Sequence, residues 1–486
     1  METLLIMCML AAGAAAALAA FFIKKIEPSS SSSSSPMSKL LLLPPGTMGW
    51  PFVGETLEFI SHAYTSCPEA FVEKRRMLYG TKVFKTHLFG SPTIVSTDSE
   101  INRMILQGDT ASFVPSYPRS LMELMGESSI LLITGGLQRK LHGLIAGFFK
   151  SPVLKSQITA DMRRYVEDSM SSWEDGQTIY IQDEAKQIAF QVLVKVLISM
   201  EPGKELQILK LQFTEFIAGL MSLPLKIPGS RLYRSLQAKK KMVDLVKDIV
   251  RRRRRSGSAE EYCNDVIDVL INDGSDELTD HLIAENMIDL MIPGEDSVPI
   301  LITLAVKYLS DCPPALRQTE EENTQLKLIS ETKGRLLEWD DYMSLSFTQN
   351  VISESLRMGN VIAGIMRKAM RDVEVKGGKF MIPKGWCVLT YFRSVHLDAD
   401  FYDQPFKFNP WRWQNKETPG GSNFFTPFGG GQKLCPGLDL ARLEASIFLH
   451  HLLTTFRWVA EDDGVVNFPT VRMKKGMPIK VNRKGV

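Results

Sequence analysis

The sequence predicts a mainly α-helical domain with small β-sheets, preceded by a single N-terminal transmembrane helix. Three observations carry that reading: helical periodicity through most of the chain, a few short β-rich runs, and an uncharged apolar stretch over residues 4–23. At ~1.5 Å per residue that stretch is about long enough to cross a bilayer. Lys24 and Lys25 follow it directly, while Glu2 precedes it. A cleaved signal peptide, with Ala17-Leu18-Ala19 as its cleavage site, would carry its bases in front of the apolar run instead. The positive-inside rule then leaves the rest of the chain in the cytosol behind a retained anchor. Residues 1–25 are thus the expected anchor, 26–46 a serine-rich linker (Ser29 to Ser35) ending in the rigid Pro44-Pro45-Gly46 hinge, and 47–486 the catalytic domain.

Within that domain, strand-like runs fall at 82–87, 93–96, 373–375, 387–392 and 478–481. The longest apolar segment, 284–309, is interrupted by Pro293-Gly294-Glu295-Asp296-Ser297. Five consecutive arginines, Arg251 to Arg255, read as a solvated helix end before a Ser256-Gly257-Ser258 loop, with a nuclear signal or lipid contact as the competing reading. A net charge of +2 gives no global pointer to nucleic acid. The cysteines at 8, 67, 263, 312, 387 and 435 form no C-x-x-C pair, which argues against zinc and against a disulfide-stapled fold and places the core in a reducing compartment.

The chemistry concentrates near the C-terminus. Phe428-Gly429-Gly430-Gly431-Gln432-Lys433-Leu434-Cys435-Pro436-Gly437 is a glycine-loosened loop that delivers one cysteine to the start of an apolar helix. Glycines permit positive φ and close approach to a planar ligand, and a helix N-terminus lowers a thiol's pKa. Haem held by a thiolate is the ligand that suits such a loop; an inert cysteine in a turn is the alternative. A phosphate loop is mismatched, because Leu434 and Cys435 follow the lysine where serine or threonine is required. Glu354 and Arg357 share a helix face at i, i+3, and Arg412 lies in the proline- and aromatic-rich Phe408-Asn409-Pro410-Trp411-Arg412-Trp413. A buried cluster of these three charges would lock structure around the loop. Glu295, Asp296 and Ser297 place acids and a hydroxyl inside a greasy helix. There they serve either as a proton relay or as caps of a proline kink.

Together these motifs, in this order, resemble the cytochrome P450 superfamily over essentially the whole chain. The resemblance implies the P450 fold and haem b, with Cys435 as axial ligand to the iron and Phe428, Gly429, Gly431 and Gly437 shaping its loop. Glu354, Arg357 and Arg412 become a structural triad, and Asp296 and Ser297 the acid–alcohol pair, with Glu295 beside them. Arg367 and Lys433 stand where haem propionates are held. Gln138 and His142 replace the usual tryptophan–arginine pair there, and Lys433 replaces an arginine. Pro293 and Ser297 stand where alanine and threonine are usual. Resemblance and apolar character give a substrate pocket of Phe113, Tyr117, Phe216, Leu220, Met291, Val361, Ile365 and Phe468.

The segments 45–56, 291–299, 342–350 and 382–387 are most similar to the plant brassinosteroid-pathway branch that hydroxylates the sterol side chain at carbon 23. That resemblance implies a monooxygenase using O2 and an NADPH-dependent flavoprotein reductase, since the chain has no flavin or dinucleotide fingerprint of its own. It also implies a sterol substrate, contact with membrane lipid, and single-pass residence in the endoplasmic reticulum with the catalytic domain facing the cytosol. Carbon-22 or another sterol or triterpenoid hydroxylation, an oxygen-independent haem-thiolate isomerase and a non-catalytic haem protein are the alternatives.

Overall fold

The computed structural model describes residues 43–485, apart from 52, 66, 257–264, 376, 415–422 and 469. The expected anchor and most of the linker therefore lie outside the described residues. Among the described residues no helix is long and apolar enough to cross a membrane.

Helices dominate, and seven of them build the site: α1 (Gly135–Phe148), α2 (Ile181–Ile198), α3 (Arg231–Ser256), α4 (Asp280–Asp296), α5 (Val298–Asp311), α6 (Ser346–Gly359) and α7 (Leu438–Thr455). In α2, Ile188, Ala189, Phe190, Val192, Val194 and Leu197 are all buried. A helix apolar around most of its circumference must be enclosed by others, and α2 packs against both α4 and α5. The main core runs from α1 through α2, α4 and α5 to α7.

A five-stranded sheet joins the two ends of the chain. Val83–Leu88 and Ser91–Ser96 form an antiparallel hairpin, and the second strand pairs in parallel with Cys387–Tyr391. Gly364–Ala369 and then Phe113–Pro115 complete it on the far side. Alternate residues face two different clusters: Val83, Ile94 and Val388 pack on one face, Phe84, Val95 and Leu389 on the other. Burial on both faces explains why Cys387–Tyr391 reads as an unbroken apolar run. The run expected at 373–375 pairs with Phe380–Ile382, and the tail strand Pro478–Arg483 lies between Thr178–Tyr180 and Phe456–Ala460. The 113–115, 178–180, 364–369, 380–382 and 456–460 strands carry no clear sequence signal, being short and framed by non-local partners.

The apolar segment expected at 284–309 is a helix in two pieces. α4 runs through Pro293, and the chain steps out of regular geometry at Ser297 (φ −110°, ψ −61°) before α5 begins, with Pro299 in its first turn. Pro293 and Pro299 have no N–H, so the carbonyls of Asp289 and Glu295 lose the i+4 bond that a helix interior would give them.

Four of the five arginines are exposed, as expected of a solvated helix end; Arg253 departs from that expectation. They end α3, but Arg253 donates to Asp265 (2.7 Å), Asp268 (2.8 Å) and the Ile198 carbonyl (3.0 Å), and the Asp265 side chain is fully buried. Arg254 binds the Leu278 carbonyl (2.8 Å) and Asp280 (2.9 Å). A buried carboxylate needs its cation, and the acids that recruit these arginines lie 12 or more residues further along the chain, where local charge patterning cannot see them. Arg253→Met should therefore cost ~3 kcal/mol in chemical denaturation. Arg255→Ala, at an exposed position, should stay within about 0.5 kcal/mol.

Candidate functional site

The cysteine loop is folded by its glycines. Gly429 and Gly431 hold φ of +75° and +66°, and a Cβ on Gly431 would lie 2.1 Å from the Leu106 carbonyl oxygen. The loop contains a 3-10 turn at Gly431–Lys433, and Gly437 caps α7. The Cys435 N–H donates to the Phe428 carbonyl at 3.1 Å, which turns the cysteine back beneath the glycines. Its thiol forms no disulfide. Contrary to the helix-dipole expectation, burial pushes the thiol's pKa up, opposed by the Gly437 N–H. The desolvation of a sulfur three residues before α7 outweighs the dipole; a coordinated metal cation is what deprotonates a thiol in such a place.

Gln138 and His142, expected at the cofactor, grip the cysteine loop. One turn apart on α1, they donate to the carbonyls of Gln432 (2.9 Å) and Leu434 (2.7 Å), which fixes the His142 proton on Nε2. Lys433 donates to the carbonyls of Ile130 (3.2 Å), Leu131 (3.3 Å) and Ile133 (2.9 Å). Burial, with Arg367 nearby, pulls Lys433 down to about 8. Arg367 is itself buried and, among the described residues, its side chain bonds only the Met366 carbonyl at 3.1 Å. Both cations line one cavity with Phe113, Gln138 and Gln432, and among the described residues neither forms an ion pair. A buried arginine and a half-buried lysine without an acid, next to a free thiol and a glycine cradle, fit the donor set of haem b, a thiolate for the iron and cations for the propionates.

The three charges Glu354, Arg357 and Arg412 meet. The Arg357 guanidinium forks onto Glu354 (2.9 and 2.8 Å), with both side chains fully buried. Arg412 donates to the same carboxylate at 3.0 Å. Two partners escaped the sequence reading: the Trp413 indole and the Asn409 N–H, each donating to Glu354 at 3.0 Å. Trp413 stands next to Arg412, so its N–H was the available clue.

From this lock a second chain runs to the cysteine loop. Arg357 donates to the carbonyls of His396 (2.8 Å) and Pro405 (2.7 Å). The His396 ring accepts from the Thr426 N–H at 3.1 Å and meets the Asn360 side-chain oxygen at 2.8 Å. Burial, helped by Arg357 and Arg393, drives His396 down to about 3, so the ring is neutral and its proton sits on Nδ1. Thr426 in turn accepts from the Gly429 N–H at 3.1 Å. Nothing local marks His396 in the sequence.

At the helix break, Lys186 of α2 binds Glu295 at 2.8 Å. Burial raises the Asp296 carboxyl; Lys186 pulls it back, and Glu295 raises it further. The pair therefore divides: Glu295 is held as a counter-ion, while burial biases Asp296 toward keeping its proton, opposed also by Arg472 and the Thr470 hydroxyl.

Of the expected pocket residues, Phe113 lines the Arg367–Lys433 cavity. Phe216 and Met291 are fully buried in the main core, Phe216 packed at 5.6 Å on Phe213; they support the wall rather than line it. Leu220 and Val361 lie half-buried against that core, as Tyr117 and Ile365 do in their own segments. Phe468 packs at 5.9 Å on Tyr64. Apolar character alone does not separate wall from interior.

A helical body with small sheets, a cysteine loop under a glycine cradle and a broken central helix define a haem-thiolate protein. The chain belongs to the cytochrome P450 family, matching it over residues 44–481. It is similar to cytochrome P450 90D2 of Oryza sativa subsp. japonica, 65% identical over 442 residues (91% of this chain and 89% of that one). It is likewise similar to the 3-epi-6-deoxocathasterone 23-monooxygenase CYP90D1 of Arabidopsis thaliana, 58% identical over 444 residues (90% and 89%). Among solved structures, the retinoic acid-bound cyanobacterial CYP120A1 shares the fold, with a TM-score of 0.80 at 24% identity over 91% of this chain and all of that one.

Gly431→Ala should strain the backbone by on the order of 1–3 kcal/mol and drive a Cβ onto Leu106. Haem bound per protein, read from the pyridine haemochromogen spectrum, should fall several-fold. Gly136→Ala, where a Cβ meets nothing within 4 Å, should retain wild-type content.

Proposed function

We propose that the chain is a membrane-anchored sterol hydroxylase of plant brassinosteroid biosynthesis that oxidises carbon 23 of the side chain. It takes O2 and two electrons from an NADPH-dependent flavoprotein reductase. The observation that carries this reading is 58% identity, over nine-tenths of the chain, to a protein named as a 23-monooxygenase.

Haem bound through Cys435 supplies oxygen activation and insertion of one oxygen atom into a C–H bond, the other leaving as water. The chain's own residues do the rest. Gln138, His142 and the Glu354 lock hold the cysteine loop rigid, so the thiolate is presented without reorganisation. Arg367 and Lys433 neutralise the propionates. Asp296 keeps a proton in reserve, the Ser297 hydroxyl passes it on, and the Glu295 carbonyl, left without its helical donor by Pro299, is an acceptor that can order a water beside them. Serine lacks threonine's methyl, so its hydroxyl rotates more freely.

Residence on the endoplasmic reticulum, with the catalytic domain in the cytosol, is part of the same proposal. Residues 4–23 with Lys24 and Lys25 support it. So do the apolar side chains that face solvent just after the hinge, Trp50 (80% exposed) and Leu57 (70%).

Full-length protein in vesicles with a plant NADPH-dependent reductase and a panel of brassinosteroid precursors should give a singly hydroxylated product at carbon 23 by mass spectrometry. Product without reductase would contradict the reading. Ser297→Ala should raise peroxide released per NADPH several-fold, whereas Ser297→Thr should keep coupling at or above wild type; unchanged leakage in the alanine variant would remove Ser297 from the relay.

A further inference from the structure

Residues 125–134 run from the α3–α4 side of the molecule to the cysteine loop, and side chains from three elements hold them. Asn286 of α4 is fully buried, and its amide is fully engaged. It accepts from the Ile130 N–H (2.6 Å) and donates to the Ser128 carbonyl (3.0 Å) and, within its own helix, to the Leu282 carbonyl (2.8 Å). Lys239 of α3, also buried, donates to the Met125 carbonyl and pairs with Glu285 (3.3 Å), the residue before Asn286. From the other side Lys433 directs its ammonium at the carbonyls of Ile130, Leu131 and Ile133. Ile130 is therefore held through its N–H by α4 and through its carbonyl by the cysteine loop.

Between these holds the segment is closed on itself. The carbonyl of Ser129, a fully buried residue, accepts from the Leu132 and Ile133 N–H groups (2.8 Å each), and the Ser129 N–H donates to the Gly126 carbonyl (3.3 Å). The Ser129 hydroxyl accepts from the Leu131 N–H at 3.2 Å. A turn bonded in this way passes a displacement on instead of absorbing it. The chain then enters α1, whose Gln138 and His142 hold the Gln432 and Leu434 carbonyls. Residues 432, 433 and 434, immediately before Cys435, are thus each tied to the 130–142 segment, and that segment is tied to α4. Asn286 lies about three turns before Ser297. One buried amide so references the cysteine loop to the helix that ends at the relay residues.

We propose that Asn286 is a positioning residue for the haem: acting through the 128–133 turn and Lys433, it sets where the cysteine loop stands relative to Asp296 and Ser297. The proposal rests on the haem-thiolate assignment and holds whichever substrate is oxidised. Loss of the amide leaves the Ile130 N–H and the Ser128 carbonyl without their partner, a costly state away from water. The turn then shifts, Lys433 follows the carbonyls it holds, and the cradle loosens. Coupling of this kind is reciprocal, so loss of Lys433 also loosens the turn where it meets Asn286.

The test is a double-mutant cycle on the rate at which full-length, haem-loaded protein gives up haem to excess apomyoglobin. The share of ferrous carbonyl protein in the thiolate absorption band is read alongside. Asn286→Leu and Lys433→Met should each speed haem loss about five- to tenfold and lower the thiolate share. The double variant should exceed the faster single by no more than about twofold, because both changes break one path. A merely structural role for Asn286 would act independently of Lys433, so rates that multiply in the double variant would overturn the proposal. So would an Asn286→Leu protein with wild-type haem loss. Asn286→Ala, which leaves room for water, serves if the leucine variant fails to load haem. Amide exchange supplies the reverse arm: in Lys433→Met the Ile130 N–H should exchange about threefold faster or more than in wild type, and unchanged exchange would contradict the coupling. A wild type that takes up no haem would overturn the haem assignment itself.

Discussion

A single carboxylate at zero exposure, Glu354, organises the part of the molecule that matters most. It accepts hydrogen bonds from two arginines, an indole and a backbone N–H. Such a cluster contributes little net stability, because taking three charges out of water costs about as much as their pairing returns. What it contributes is uniqueness: any other arrangement of α6 and the 405–413 segment strands a buried charge. Through Arg357, His396 and Thr426 that constraint reaches Gly429, so the loop that presents Cys435 inherits the rigidity of the lock. A neutral His396, acceptor on one side and donor on the other, passes the geometry along without adding a charge.

The opposite side of the cofactor loop is built from unpaired charge. Arg367 and Lys433 line one cavity without an acid among the described residues, an arrangement that suits an anionic ligand. Lys433 bonds three loop carbonyls where arginine would offer a planar fork, so one side chain ties the cysteine loop to the 130–133 backbone. The same loop meets α4 through Asn286. Cofactor cradle and distal helix are in this way parts of one framework.

Much of this was legible in the sequence because the signals were local. Cys435 and Gly431 lie within one ten-residue motif, Glu354 and Arg357 one helical turn apart, and the polar break within five residues. What was not legible depends on distant partners. His396 lies 39 residues from Arg357, and Trp413 lies 59 from Glu354, and no periodicity marks either. Arg253 looked solvated because its buried partner Asp265 lies 12 residues further along the chain. Gln138 and His142 were read as cofactor contacts, but their bonds to the cysteine-loop carbonyls were not foreseen, since a spacing of four residues gives a shared helix face and not what that face meets. Phe216 and Met291 show the same limit: an apolar residue beside a pocket and one behind it are alike in sequence.

The central claim is that Cys435 is the axial thiolate, and the absorption of the ferrous carbonyl complex tests it most directly. Wild-type protein, reduced and exposed to carbon monoxide, should show the strongly red-shifted Soret band that only a thiolate ligand produces, and Cys435→Ala should lose that band entirely. A Cys435→Ala protein that kept the thiolate band would contradict the account.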